Sequence, residues 1–384
     1  MIYKPDKVSK MKGGDVIFFR LVSSNNQKGD LLRMKSIEEI RDMLEHLGKL
    51  KLGFYPTPFH RLDRISGEYG VELYVKREDF SGMTLFGGNK IRKLEYLLHD
   101  AIRQGCDTVV TYGATQSNHA METATAARKC GLNPVLFLAA IVEPNAADIR
   151  ANLLLDTILG AEINIIPANG RSTKQTMEES QDLIQGRIKE LEAQGHKIYN
   201  IPTGGSLPLG ACGFADAYVE TMEQAAAMGL KPDYLFTATG STGTLSGLCA
   251  GKALLGNDTK LVGIEVGPKP ASYPEEVIAL ANEALRLMGA DETVTTDLFT
   301  VTDRYYGAGY EVPSPAANDD IRYLARTEGI FTDPVYSGKS FHGMMEYIRD
   351  GRVPKGSTVV FLHTGGATAL FSESGIVGDL SCRK

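Results

Sequence analysis

From residue 90 onward, short apolar strands alternate with amphipathic helices, and few architectures accept that order. Runs rich in β-branched and apolar residues at 108–112, 134–139, 162–166, 197–201, 234–238, 261–265 and 358–362 read as strands. Helical stretches lie between them, including 117–130, 148–159, 173–194 and 210–228. Such alternation builds an α/β fold with parallel sheets rather than a sandwich. Strand count and a length of 384 residues predict two open, mostly parallel, twisted sheets with helices on both faces and a cleft between two domains. The expected large domain takes 1–93 and 206–384, and the small domain takes 94–205. Pro202-Thr203-Gly204-Gly205-Ser206 is the candidate hinge. Ahead of the alternation, 1–50 is a polar lead-in with one amphipathic helix near 36–47. Pro56-Thr57-Pro58 reads as extended and 72–76 as a further strand.

Residues 85–119 carry the densest polar signals. Gly87 and Gly88 lead into Asn89, a good N-cap residue, and Lys90 takes the first helical position. Leu94, Leu97, Leu98 and Ile102 follow at helical spacing, and Gly105 ends the run. After the strand comes a polar loop, Gly113 to His119, that opens a second helix. A lysine at a helix start opposes the macrodipole, which already places positive charge there. The misfit lowers the amine's proton affinity, and a neutral amine is what Schiff-base chemistry needs. A solvated surface lysine remains the plainer alternative.

Three other segments could carry chemistry. Thr239-Gly240-Ser241-Thr242-Gly243-Thr244 follows a strand and opens a helix, the geometry of an anion site. It is not a Walker loop, it lacks a full dinucleotide fingerprint, and a plain turn would also account for it. His363-Thr364-Gly365-Gly366 ends the last strand, where open α/β sheets collect ligands. His363 could be a base, although a packing role is the preferred reading. Tyr310 and Tyr336 lie in loops and could act as acids or bases if a neighbouring cation lowered their pKa.

Composition narrows the function. The net charge is −6, and no basic run carries interleaved aromatics, so nucleic acid and membrane are not expected partners. No stretch is apolar enough to span a bilayer, and the N-terminus lacks a signal-peptide core. Cys106, Cys130, Cys212, Cys249 and Cys382 form no Cys-x-x-Cys pair, so no metal is expected and the thiols fit a reduced cytoplasmic protein.

Together these segments resemble the pyridoxal-phosphate enzymes of the tryptophan-synthase β-type fold. The resemblance is to the branch that holds 1-aminocyclopropane-1-carboxylate deaminase and D-cysteine desulfhydrase. The residues that carry it are Phe86-Gly87-Gly88-Asn89-Lys90-Ile91-Arg92-Lys93-Leu94-Glu95, Gln116-Ser117-Asn118-His119, Gly240-Ser241-Thr242-Gly243-Thr244, Asp333-Pro334-Val335-Tyr336 and His363-Thr364-Gly365-Gly366. They occur in the family's order. The resemblance implies fold type II, a homodimer, and pyridoxal 5'-phosphate in the cleft. It implies that Lys90 forms the Schiff base beside Asn89, and that Asn118 bonds the cofactor's phenolic oxygen. Ser117, with Gln116 and His119, would receive the substrate carboxylate. Gly240, Ser241, Thr242, Gly243 and Thr244 would hold the phosphate. Tyr310 and Tyr336 would flank the ring, and Thr364 would face the pyridine nitrogen.

Some positions depart from the pattern. Ala120-Met121-Glu122 stands where members commonly have Thr-Arg-Gln, and Thr242 replaces the middle glycine of the phosphate loop. Ser337 follows Tyr336 where the deaminase branch has a glutamate, and the lead-in is longer than usual. The expected activity is α,β-elimination on a small amino acid, with D-cysteine giving pyruvate, hydrogen sulfide and ammonia. The rivals within the class are aminocyclopropane carboxylate deamination and elimination from cysteate or another β-substituted alanine. A nucleotide-binding dehydrogenase would need an acidic ribose ligand after a complete fingerprint, and that combination is absent. A catalytically dead amino-acid sensor is a third reading, which Lys90, Ser117 and the two tyrosines argue against.

Overall fold

The computed structural model describes residues 35–82, 84, 87–141, 149–372 and 376. Expectations for 1–34, for Phe86, for residue 148 and for Cys382 lie outside the described residues. In chain order the strands are β1 Phe59–Arg61, β2 Glu72–Arg77, β3 Thr108–Ala114, β4 Asn133–Ala140, β5 Glu162–Pro167, β6 Ile198–Ile201, β7 Tyr234–Thr239, β8 Lys260–Glu265, β9 Phe299–Thr302 and β10 Thr358–His363. The helices are α1 Ile37–His46, α2 Asp63–Tyr69, α3 Lys90–Arg103, α4 Asn118–Lys129, α5 Ala151–Ile158, α6 Thr173–Glu179, α7 Gln181–Ala193, α8 Pro208–Ala227, α9 Gly243–Leu255, α10 Tyr273–Leu287, α11 Pro315–Glu328 and α12 Ser337–Arg349.

The strands form two sheets. One has the order β1-β2-β10-β7-β8-β9, and the other β5-β4-β3-β6. Among the described residues, only the β1–β2 pair is antiparallel, and every other pair is parallel. This is the α/β arrangement that the alternation predicts. All strands of the four-stranded sheet fall within 94–205, and those of the six-stranded sheet fall outside it. β4 is buried along seven of its eight residues, as a central parallel strand covered on both faces should be.

Three local differences from expectation have simple causes. The edge strands β1 and β9 are short and partly exposed, and their sequences give little periodicity to read. The helical stretch 173–194 breaks at Ser180, whose backbone leaves the helical region and separates α6 from α7. Asn89 makes no side-chain cap on α3, because its amide is engaged elsewhere.

Close helix packing sets the frame of the molecule. α8 is buried over most of its length and rich in small residues. A Cβ on Gly213 of α8 would overlap the Arg92 carbonyl of α3, and one on Gly247 of α9 would overlap the Ala211 carbonyl of α8. The glycines therefore let three backbones meet. α3 also packs through Ile91, Leu94, Leu97 and Leu98 against Val109, Ala126, Leu132 and Ile201 of the four-stranded layer. Arg92 anchors its first turn. The guanidinium reaches Glu78 at 2.6 Å and Glu220 of α8 at 2.7 Å, and Lys76 of β2 reaches the same Glu220 at 2.5 Å.

A paired substitution tests this packing. Gly247→Ala should cost about 1–3 kcal/mol through overlap. Gly186→Ala on α7, where an added Cβ meets nothing within 4 Å, should instead stabilise by roughly 0.5–1 kcal/mol. Urea unfolding of both variants checks the contrast, and equal effects would contradict it.

Candidate active site

Lys90 sits at the first position of α3, and its Nζ donates to Asn89 Oδ1 at 2.8 Å. Asn89 ties three elements together. Its backbone N–H donates to Thr364 O after β10 at 3.1 Å, and its side-chain Nδ2 donates to Thr244 Oγ1 of α9 at 3.1 Å. The cap that Asn89 does not supply comes from Glu122 of α4, whose Oε2 accepts the Lys90 backbone N–H at 2.9 Å. A carboxylate at a helix N-terminus suits the dipole. Gly88 leaves room for it, since a Cβ there would overlap the Glu122 carboxylate.

The 240–244 segment is the strand–turn–helix that the sequence predicts. Thr242 has ordinary right-handed backbone angles (φ −62°, ψ −36°), so the loop does not require glycine there. It makes no side-chain cap, which leaves the start of α9 open to an anion. Ser206 Oγ accepts the Gly243 N–H at 3.2 Å. Lys93, one turn along α3 from Lys90, is fully buried and donates to Gly204 O at 2.9 Å. A Cβ on Gly243 would lie 2.8 Å from Lys93 Nζ, so a buried amine lines this loop.

On the opposite wall, Ser117 caps α4 by accepting the Ala120 N–H at 3.2 Å, which leaves its hydroxyl proton free for a ligand. Two expected neighbours do not point the same way. The Gln116 amide is engaged at both ends with the start of α5, accepting from Asn152 N at 3.0 Å and donating to Arg150 O at 3.2 Å. His119 directs Nε2 to Thr111 Oγ1 at 2.8 Å, and Thr111 in turn donates to Ile201 O, so Thr111 links the ring on α4 to β6. The Gln116 amide and one ring nitrogen of His119 are thus engaged within the fold, while His119 Nδ1 is buried with no partner among the described residues. Asn118 faces Gly366, where an added Cβ would lie 2.9 Å from its Nδ2.

Tyr310 and Tyr336 come together and share a hydrogen bond between their hydroxyls. Lys339 of α12 supports the first of them by donating to Gly309 O at 2.7 Å. His363 Nε2 donates to Phe331 O at 2.7 Å and Nδ1 accepts the Gly365 N–H at 3.2 Å, so both ring nitrogens are engaged within the fold. The Ser337 hydroxyl is held by Asp333 Oδ1 at 2.6 Å and by Gly365 O at 3.2 Å. The Asp333 carboxylate in turn accepts the N–H groups of Val335, Tyr336 and Ser337.

A sequence model described as pyridoxal-phosphate dependent enzyme matches residues 50–365. This chain belongs to the pyridoxal-phosphate dependent enzymes. A Thermotoga maritima member is 38% identical over 331 residues, covering 85% of this chain and 98% of that protein. A Methylobacterium nodulans member named 1-aminocyclopropane-1-carboxylate deaminase is 37% identical over 337 residues, covering 85% and 97%. A solved structure described as the ACC deaminase homologue is 35% identical and superposes with a TM-score of 0.79 over 88% of this chain and 98% of its own. Escherichia coli diaminopropionate ammonia lyase, at 17% identity and TM-score 0.58, shares the fold, covering 92% of this chain and 93% of that one.

The cofactor of such an enzyme is pyridoxal 5'-phosphate, and the residues present fit it. An open helix N-terminus with a buried lysine suits the phosphate. Gly365 and Gly366 (φ +92° and +94°) form a cradle that a Cβ would fill, with a Cβ on Gly365 only 3.0 Å from the Gly88 Cα. Burial pushes the Lys90 and Lys93 amines down, opposed at Lys90 by the charges of Glu122 and Asp333. The lowered amine that the sequence attributes to the helix dipole therefore owes its shift chiefly to burial. Burial pushes Glu122 up and holds His119 well below the usual imidazole range. It also raises Tyr310 and Tyr336, with Glu311 and Asp333 adding to the effect, so both hydroxyls hold their protons more tightly than a free phenol.

Sequence reasoning singles out Glu122 only as a departure from the family pattern, and it assigns no role to Lys93, Asn152 or Lys339. Lys93 and Lys339 stand inside or beside recognised motifs, but fully buried lysines look in sequence like surface ones. Asp156 of α5 gives a pH test. It is fully buried, neither carboxylate oxygen has a partner among the described residues, and burial raises its pKa from 3.8 to about 8. The folded state holds this proton more tightly, so its contribution is complete below pH 4 and disappears as pH rises through about 8. Asp156→Asn should therefore gain stability relative to the parent steadily from pH 5 to pH 8. Urea unfolding at those pH values measures the difference, and a constant offset would contradict it.

Proposed function

We propose that this chain is a lyase that eliminates the β-substituent and amino group of a small amino acid. D-Cysteine plus water would give pyruvate, hydrogen sulfide and ammonia. The observation that carries this reading is the neutrality of the position after Tyr336. Ser337 has no charge to hold a proton on the pyridine nitrogen, and its hydroxyl is engaged by Asp333 and Gly365 O. The Asp333 carboxylate is itself taken up by backbone N–H groups. A neutral partner such as Thr364 leaves a weaker electron sink. That favours loss of a good leaving group over opening a carbon–carbon bond.

Bound pyridoxal phosphate supplies the electron sink at the substrate α-carbon. The chain's own groups do the rest in this reading. Lys93, Gly240, Ser241, Thr242, Gly243 and Thr244 hold the phosphate. Lys90, with its amine's proton affinity lowered by burial, carries the cofactor and takes the α-proton. The Ser117 hydroxyl and the N-terminus of α4 receive the carboxylate. The hydrogen-bonded Tyr310 and Tyr336 give a proton to the leaving sulfur.

A second reading, aminocyclopropane carboxylate deamination, draws support from the name of the Methylobacterium nodulans relative. Oxo-acid release from D-cysteine, L-cysteine, cysteate, D-serine and aminocyclopropane carboxylate separates the two. Comparable kcat/KM for D-cysteine and aminocyclopropane carboxylate would sink the argument from Ser337. Lys90→Ala should lose both the visible band of bound cofactor and turnover, and a variant that keeps both assigns the chemistry to another lysine. Gly243→Asp should weaken cofactor binding by placing an anion beside the phosphate. Ser117→Ala should spare cofactor binding and lower kcat/KM by about 10- to 150-fold, the value of a hydrogen bond to a charged group. Equal cofactor loss in these last two variants would contradict the division of roles.

A further inference from the structure

Asn152 of α5 is buried, 1% exposed, and lies behind Asn118. Its Nδ2 donates to the backbone carbonyl of Gln116 at 2.9 Å and to Asn118 Oδ1 at 2.7 Å. The first contact settles which atom is nitrogen, because a backbone carbonyl can only accept. The amino end of Asn152 therefore faces Asn118, and Asn118 must answer with its oxygen. Thr368 Oγ1 gives the same Asn118 oxygen a second, longer donor at 3.4 Å. The Gln116 amide holds the start of α5 in place by accepting the Asn152 N–H at 3.0 Å. The amino end of Asn118 is left pointing toward Gly366, with no partner among the described residues.

We infer that Asn152 is a positioning residue that fixes the orientation of the Asn118 amide, so that Asn118 presents N–H and not oxygen to the phenolic oxygen of the cofactor. The inference rests on the reading of Asn118 as the ligand of that oxygen. Without the Asn152 donor the amide is free to rotate by half a turn. It would then set a carbonyl oxygen against the cofactor's oxygen, two acceptors facing each other. The orientation is thus imposed by a backbone carbonyl two residues before Asn118 and relayed through one side chain.

The test uses the full chain, stripped of cofactor and titrated with pyridoxal 5'-phosphate. The readouts are the dissociation constant and the position of the visible absorption band, which responds to hydrogen bonding at the phenolic oxygen. Asn152→Asp keeps the shape and replaces the amino end by oxygen, which draws the Asn118 amino group away from the cofactor. The expected result is a dissociation constant raised about tenfold, as for one lost hydrogen bond, together with a displaced absorption band. Thr368→Val should move both readouts the same way by less. If Asn152→Asp does not fold, Asn152→Ala is judged by the same two readouts. A folded Asn152 variant with parental affinity and an unmoved band overturns the inference. Asn118→Ala separates the levels. If it leaves the band unmoved, the reading of Asn118 falls and the inference with it. If it moves the band while the Asn152 variants do not, only the inference falls.

Discussion

The buried ion cluster around Arg92 holds the first turn of α3 in place, and the site is assembled on that turn. One guanidinium bridges Glu78, at the end of β2, and Glu220, in the middle of α8. Lys76 and Thr57 complete the cluster, so two cations meet two carboxylates and the hydroxyl gives Glu78 Oε1 a second donor beside Arg92. Burial alone would raise Glu220, but Arg92 and Lys76 hold it down at about 2. Buried ion pairs add little net stability when complete, but removing one member leaves an uncompensated charge at a cost of about 3–5 kcal/mol. The cluster therefore acts chiefly to specify one arrangement. It lets α3 begin at a single place, and Lys90, Lys93 and Asn89 inherit their positions from it.

The fold was legible because the strands are central, parallel and buried on both faces, so their sequences are continuous apolar runs. β3, β4 and β7 illustrate this, with ends within two residues of expectation. β1 and β9 were not legible because edge strands of three and four residues give no such run. Within the site, Lys90, Ser117 and the 240–244 turn stand at helix starts, which leave marks in sequence. Gln116 and His119 also stand in a motif. The directions of their side chains depend on Arg150, Asn152 and Thr111, residues that only tertiary structure brings near. The same is true of Asn89, a good capping residue by composition that bonds Thr244 from far along the chain.

Glu122 illustrates how a departure from a family pattern acquires meaning from geometry. In sequence it is a negative charge on an expected site wall. In the structure it caps α3 and offsets two buried amines, Lys90 and Lys93, that the helix dipole would otherwise disfavour. Thr242, the other departure, occupies a right-handed conformation open to any residue and has no comparable consequence.

α3 packs on α8 through Gly213 and on the four-stranded layer through its apolar stripe. Its first turn is therefore located from two sides at once, by the close approach at Gly213 and by the apolar stripe, and loosening either surface would leave the other to hold Lys90 in place.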